Sequence, residues 1–245
     1  MQTYSKIKES IKNNSEIVSD ELHILGNVEE NSIVETSRLQ IDGTTEEYST
    51  QYSRFANINV HKGTLRCHEA SIKNLDGGEI HATKVDVVTC NGGFIYAQDV
   101  HIESILKPVT IIASHSITVG SVSVADSLFK INYKEVPIIN SKLDLIQDDL
   151  EQLKEELEDA KKHNIAQLSN IEHKIDTLQT EYQTILDAYK IATITLNGTV
   201  AQGNQITFTL NTDNEITYVT QEQSYAPFHL NITASNTSLL PIATL

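Results

Sequence analysis

A repeat of about fifteen residues constrains this chain more than any single motif does. "LRCHEASI" supplies Leu65, Cys67, Ala70 and Ile72; "IHATKVDV" supplies Ile80, Ala82, Val85 and Val87; "IYAQDVHI" supplies Ile95, Ala97, Val100 and Ile102. Every column advances by the same step. Looser rows, shifted by one residue, are laid in at Leu39 and Ile41, at Phe55, Ile58 and Val60, and at Ala113, Ile117 and Val119. Within a row the apolar positions alternate, which is the period of a strand with one buried face. The rows end in turn residues: Gly43, Gly63, Gly77-Gly78, Gly92-Gly93 and Pro108. A unit this short cannot hold a helix pair, so it buries its inward side chains only by stacking on copies of itself. The rows therefore predict a β-solenoid of roughly six or seven rungs between Leu22 and Val124.

An antiparallel sandwich also gives alternating strands at regular spacing. The column Cys67, Ala82, Ala97 stays small, as a tight corner of a stacked rung requires, and this favours the solenoid. Strict hexapeptide spacing, the mark of left-handed β-helices, is missing, which favours the right-handed form. A thin column also suits a composition with 39% apolar residues, 6% aromatics and no Trp.

After "EVPIIN" the period changes. Ser141 to Lys190 contains neither Gly nor Pro, and Ser141 with Asp144 resembles a capping box, so a helix is expected to start there. Leu143, Ile146, Leu150, Leu153, Leu157 and Ala160 form one heptad seam; Leu168, Ile171, Ile175, Leu178, Tyr182, Ile185 and Tyr189 form a second. The seams are out of register with each other. A stutter in one continuous rod would explain the offset, and so would a tight turn at "KKHN", Lys161 to Asn164. Alternating sequence resumes in "ATITLNGTVAQGNQITFTLNTDNEITYV" and must return to the solenoid, so the hairpin is preferred.

The expected fold is mainly β: a single-stranded right-handed parallel β-helix with an inserted antiparallel α-helical coiled-coil hairpin. Its parts are an N-terminal helical cap over residues 1–20, rungs over 21–140, the hairpin over 141–190, and a C-terminal β segment packing on the solenoid over 191–245. The cap, read from the helix-like Tyr4 to Ile17, and the C-terminal segment are assigned by need, because open strand edges pair with other chains unless covered.

A formal net charge of −15 speaks against nucleic acid and against an anionic membrane surface, both of which attract clustered Lys and Arg. No signal peptide and no run of about eighteen apolar residues is visible, so a cytoplasmic protein without membrane insertion is expected. Cys67 and Cys90 stand in no CxxC arrangement and read as reduced, buried small hydrophobes. Of nine histidines, His81 and His101 lie next to inward apolar residues and should point outward, with Asp86 one rung before His101 as its partner. No Ser or Cys nucleophile accompanies that pair, and His68, Thr83 and Gln98 form a mixed polar ladder rather than a converging ligand set. The expectation is no enzyme activity, no metal and no cofactor.

The helical segment reads differently. From Leu143 to Lys190 twelve acids face five lysines, so this arm carries −7 of the charge. Most of the acids serve as a solvated face. Its tip is a local basic spot, and Lys161, Lys162, His163 and Asn164 are the candidate partner-binding residues of a docking or homo-oligomerising arm.

The order of parts, short β rungs, a helical hairpin, then "LNGTVAQGNQITF", resembles the β-solenoid domain of the flagellar assembly protein A family of bacteria. The similar pieces are "SHSITVGS", Ser114 to Ser121, and "GTVAQGNQITF", Gly198 to Phe208, and the likeness spans about Leu22 to Val219. Bactofilins and the C-terminal domain of the division inhibitor MinC share such rungs. This chain departs from the family in having no room for its N-terminal domain and only 10 Gly. The resemblance implies a non-enzymatic cytoplasmic scaffold tied to flagellar assembly or its placement at the cell pole, with no catalytic residues to carry over. Two alternatives stand beside it: a bactofilin-like filament former, and a β-helical enzyme acting on carbohydrate or an acyl donor.

Overall fold

The computed structural model describes residues 6–163, 168–211, 214–221 and 228–231. The chain is mainly β, a β-solenoid of about seven turns with two helices. Strands β1 (Lys6–Lys8), β2 (Glu16–Ile24), β3 (Ile33–Thr45), β4 (Thr50–His61), β5 (Thr64–Arg66), β6 (Glu69–Leu75) and the long β7 (Glu79–Val122) stack in parallel. Each turn offers three paired segments, here called faces one, two and three. In β4, residues 50–52 lie on β5, residues 55–58 lie on β6, and His61 lies on Leu75.

The registers reproduce the repeat. Leu65 pairs with Ile80, Ala70 with Val85, Ile72 with Val87 and Leu75 with Cys90, and all eight are buried. Cys67, Ala82 and Ala97 are buried as well. Burying each such Ile, Val or Leu contributes about 1.5–3 kcal/mol, and nearly all of it comes from the turn above or below. The column is therefore stable only as a stack.

Turn length is not constant, running from 14 residues between Ala56 and Ala70 to 18 between Ile111 and Phe129. That variation corrects one row. Phe55 and Val60 are only half-buried, while Ala56, Ile58 and His61 take the inward positions, because Ala56 and Ile58 pair with Leu39 and Ile41 below and Ala70 and Ile72 above. At the corner between faces three and one the backbone of successive turns touches. Gly78 has φ +73°, and a Cβ there would lie 2.3 Å from the Gly63 carbonyl oxygen, so only glycine fits.

The expected helical cap over residues 1–20 is corrected. The described part of that stretch holds strands and a turn and no helix: β1 lies on residues 22–24, buried Ile11 bridges to Val28, and β2 already begins at Glu16. Parallel pairing with the next turn overrides the helix-like spacing.

At the other end β8 (Leu128–Ile131) lies on residues 110–113 of β7, and a short 3-10 turn, Tyr133–Glu135, leads into α1 (Pro137–His163) and α2 (Leu168–Lys190). After α2, β9 (Thr193–Leu196) lies in parallel on residues 116–119. The two helices thus interrupt a single turn between its first and second faces. Helix α1 starts at Pro137 rather than at Ser141. Val136 is extended at φ −94°, ψ 102°, its carbonyl accepts from the Asn140 N–H, and Pro137 has the fixed φ suited to a first helical position.

Residues 191–245 were expected to pack on the solenoid, but their first part extends it. β10 (Gln205–Asn211) lies in parallel on β8, and Ile194, Leu196, Val200, Ile206 and Phe208 join the same buried column. Only then does the direction change: β11 (Asn214–Val219) pairs antiparallel with β10, and β12 (Phe228–Asn231) antiparallel with β9.

Candidate functional site

The helices are rooted on the outer side of face one. Ile112 points outward from β7 and is covered by Val136, Ile139 and Leu143, with Tyr96, Tyr133, Tyr182 and Ile185 packed around them. Behind this cluster Tyr189, at the end of α2, is nearly buried and meets Tyr133 edge to face at 4.8 Å between ring centres. Burial, reinforced by Tyr133 and Glu215, pushes the Tyr189 hydroxyl well above the usual phenol range. Lys130 fixes the first bend of the connection by pairing with Glu135 at 2.8 Å and with Glu215 on β11 at 2.7 Å. Burial pulls its ammonium pKa down, but those two carboxylates outweigh burial and hold it above the ordinary lysine value.

Outward from the root, residues 142–147 of α1 meet residues 181–182 of α2, and farther along α1 residues 149–156 lie across a groove from residues 173–178. Lys142 pairs with Glu181 at 2.7 Å, and the Gln147 amide donates to the Tyr182 hydroxyl at 2.8 Å. The buried or half-buried positions of both helices coincide with the two heptad seams read from the sequence, including Leu143, Ile146, Leu150, Ala160, Ile171 and Leu178. Outside the seams, Ile139 is buried in the root and Asn140, Glu181, Leu186 and Ala188 are half-buried, while the other described side chains of the helices are exposed.

The tip is less basic than its letters suggest. Lys161 pairs with Glu158 one turn back, at 2.8 Å. Lys162 and His163 lie in the last turn of α1, though their side chains fall outside the described residues, as does the whole of Asn164.

The histidines separate into three kinds. On the outer surface, Asp86 and His101 do stand together, at 3.4 Å and about half exposed, and the His68 ring bonds to the Thr83 hydroxyl at 3.0 Å. His81 faces outward as expected but is covered: it stacks on Tyr96, 5.0 Å between ring centres, and bonds to Glu79. Burial lowers its pKa, with Glu79 opposing. His61, which nothing in the sequence marks out, is fully buried inside the column and bonds to the Thr45 hydroxyl at 2.7 Å. Burial drives its pKa down to about 4, with backbone groups of Glu79 and Gly63 opposing only in part. It is a structural residue in the polar stretch of the core that also contains Gln51.

Cys67 and Cys90 are free and buried, and burial raises their thiols to about 12 and about 11, which removes them as nucleophiles near neutral pH. Among the described residues no three His, Cys, Asp or Glu converge as a metal site would need. No helix among them is long and apolar enough to cross a membrane. What the geometry can do is hold a long acidic helical segment rigidly at its base while leaving its flanks exposed. No protein-family model, no curated protein and no solved structure matches this chain.

Proposed function

We propose that this chain is a non-enzymatic scaffold whose right-handed β-solenoid presents an antiparallel coiled-coil hairpin as a partner-docking arm. The observation that carries the reading is the insertion inside one turn. Residues 116–119 and β9 keep their parallel register although the helices intervene, so the column is not broken by the arm, of which only the root packs on it. An arm held this way has no evident structural task, and a task outside the molecule follows. The contact Gln147–Tyr182 and, farther along α1, the groove that sets residues 149–156 beside residues 173–178 support the hairpin, and turns of 14 to 18 residues without hexapeptide spacing support the right hand.

The resemblance to the flagellar assembly protein A family gives the setting: the bacterial cytoplasm, in flagellar assembly or its placement at the pole. The antiparallel strands β11 and β12 at the C-terminal end speak against filaments of stacked solenoids. The test is replacement of residues 147–181 by a short Gly-Ser linker, a cut that spares the root residues Leu143, Tyr182 and Tyr189. Crosslinking mass spectrometry from cells should then lose partner crosslinks while circular dichroism retains the β signal. Unchanged crosslinks would sink the proposal.

A further inference from the structure

We propose that one flank of the arm is the docking face, and that it receives a single basic amphipathic helix of a partner protein; this rests on the scaffold reading and names the kind of partner. The flank is fixed by helical spacing. Leu145, Asp149, Gln152 and Glu156 follow one another at intervals of three or four and form a stripe on α1 about a quarter-turn away from its buried seam. Across from them on α2 stand His173, Lys174 and Thr177. Between the two helices runs a groove of about 460 Å³ floored by the half-buried Leu153 and Leu178 and walled on the α1 side by Asp149 and Glu156.

Leu145 is the strongest sign that this flank is incomplete. It is 64% exposed in the middle of a polar rod, one helical turn from Asp149, and Ile138 at 38% lies seven residues before it on the same stripe. A leucine on a solvated face serves no packing purpose inside the arm, because the seam is already filled by Leu143, Ile146 and Leu150. A third helix laid in the groove would bury Leu145 together with Leu153 and Leu178, at the 8–10 Å axis separation typical of packed helices (roughly).

Charge selects among the occupants. Among the described residues Asp149 has no cation within ion-pair distance, and Glu156 accepts only from the neighbouring Gln152 amide. The arm is strongly acidic as a whole, so a second copy offering the same face would set like charges against one another, and anionic lipid or nucleic acid would be repelled. A helix with apolar residues on one face and Lys or Arg along one border meets the floor and the acidic α1 wall, with its other border turned to His173 and Lys174 of α2.

The full-length chain is titrated, by fluorescence anisotropy, into a labelled three-heptad peptide with Leu at the seam and Lys or Arg at the flanking positions. The comparators are a peptide with Glu at the flanks and a sequence-scrambled basic peptide of the same composition. The expected result is binding of the first peptide only, weakened about tenfold or more by Leu145→Glu and by Asp149→Lys with Glu156→Lys, while the β unfolding transition stays unchanged. Equal binding of the scrambled peptide, or no effect of either variant, would overturn the inference. So would a wild-type dimer in sedimentation that Leu145→Glu dissociates, since the face would then take a second copy. If removing residues 147–181 abolishes cellular crosslinks while Leu145→Glu leaves them intact, the scaffold reading survives and this flank does not.

Discussion

Val85 in the solenoid and Leu153 on the arm are both branched apolar residues at repeating positions, yet their surroundings differ in kind. Val85 is fully buried on Ala70 of the preceding turn, within a column that continues in both directions. Leu153 stays half-exposed beside α2, and the backbone hydrogen bonds around it are made within its own helix. A solenoid turn has no stability alone, whereas a helix supplies its own backbone bonding and borrows only side-chain cover. The column should therefore fail as a unit, and the arm should change locally.

The sharpest way to break that contrast is a buried charge. Val85→Asp places a carboxylate where no cation can reach it, which should cost more than about 4 kcal/mol and abolish the cooperative β transition in thermal circular dichroism. Leu153→Asp should leave that transition in place. Equal sensitivity of the two variants would show that column and arm unfold together.

Acid comes next. His61 titrates near 4 in the fold against about 6.5 in the unfolded chain, so between those values the unfolded state binds more protons. Stability is complete above about pH 6.5 and falls as the pH drops toward 4, by up to about 3 kcal/mol. Urea unfolding at neutral pH and near 4.5 should reveal the loss, and His61→Leu, which restores an apolar column, should flatten it.

Smaller still is the corner. Gly78→Ala forces a side chain into a positive-φ position against the Gly63 carbonyl and should cost about 2 kcal/mol, read as a lower urea midpoint with unchanged slope. Last, His101→Ala removes an exposed contact with Asp86 and should shift stability by less than about 1 kcal/mol. A larger loss would mean that the outer ladders, and not only the column, hold the turns together.

The rows of apolar residues were legible because a stacked turn must repeat its inward pattern, and the two helices were legible because a helix with one covered side repeats its apolar residues at its own period. Ile7 and Ile11, by contrast, sit four apart, a spacing that suits a helix as well as the corner of a turn. Only pairing of Ile11 with Val28 decides between them. The "VP" at Val136-Pro137 is a helix-start signal, and it outweighs the capping-box pattern at Ser141 because proline has no N–H to lose there. His61 had no signal at all. Variation in turn length chooses whether Val60 or His61 faces inward, and sequence spacing does not register that choice.

By itself, then, the sequence determined that the chain stacks short β turns and interrupts them with an acidic helical segment, since both follow from periodicity. Tertiary structure alone decided that the interruption falls inside one turn, that β9 and β10 beyond it rejoin the column in parallel, and that Leu145 is left uncovered along the flank that holds a groove. Those outcomes depend on which residues meet across dozens of intervening positions, and a local pattern carries no record of its distant partner.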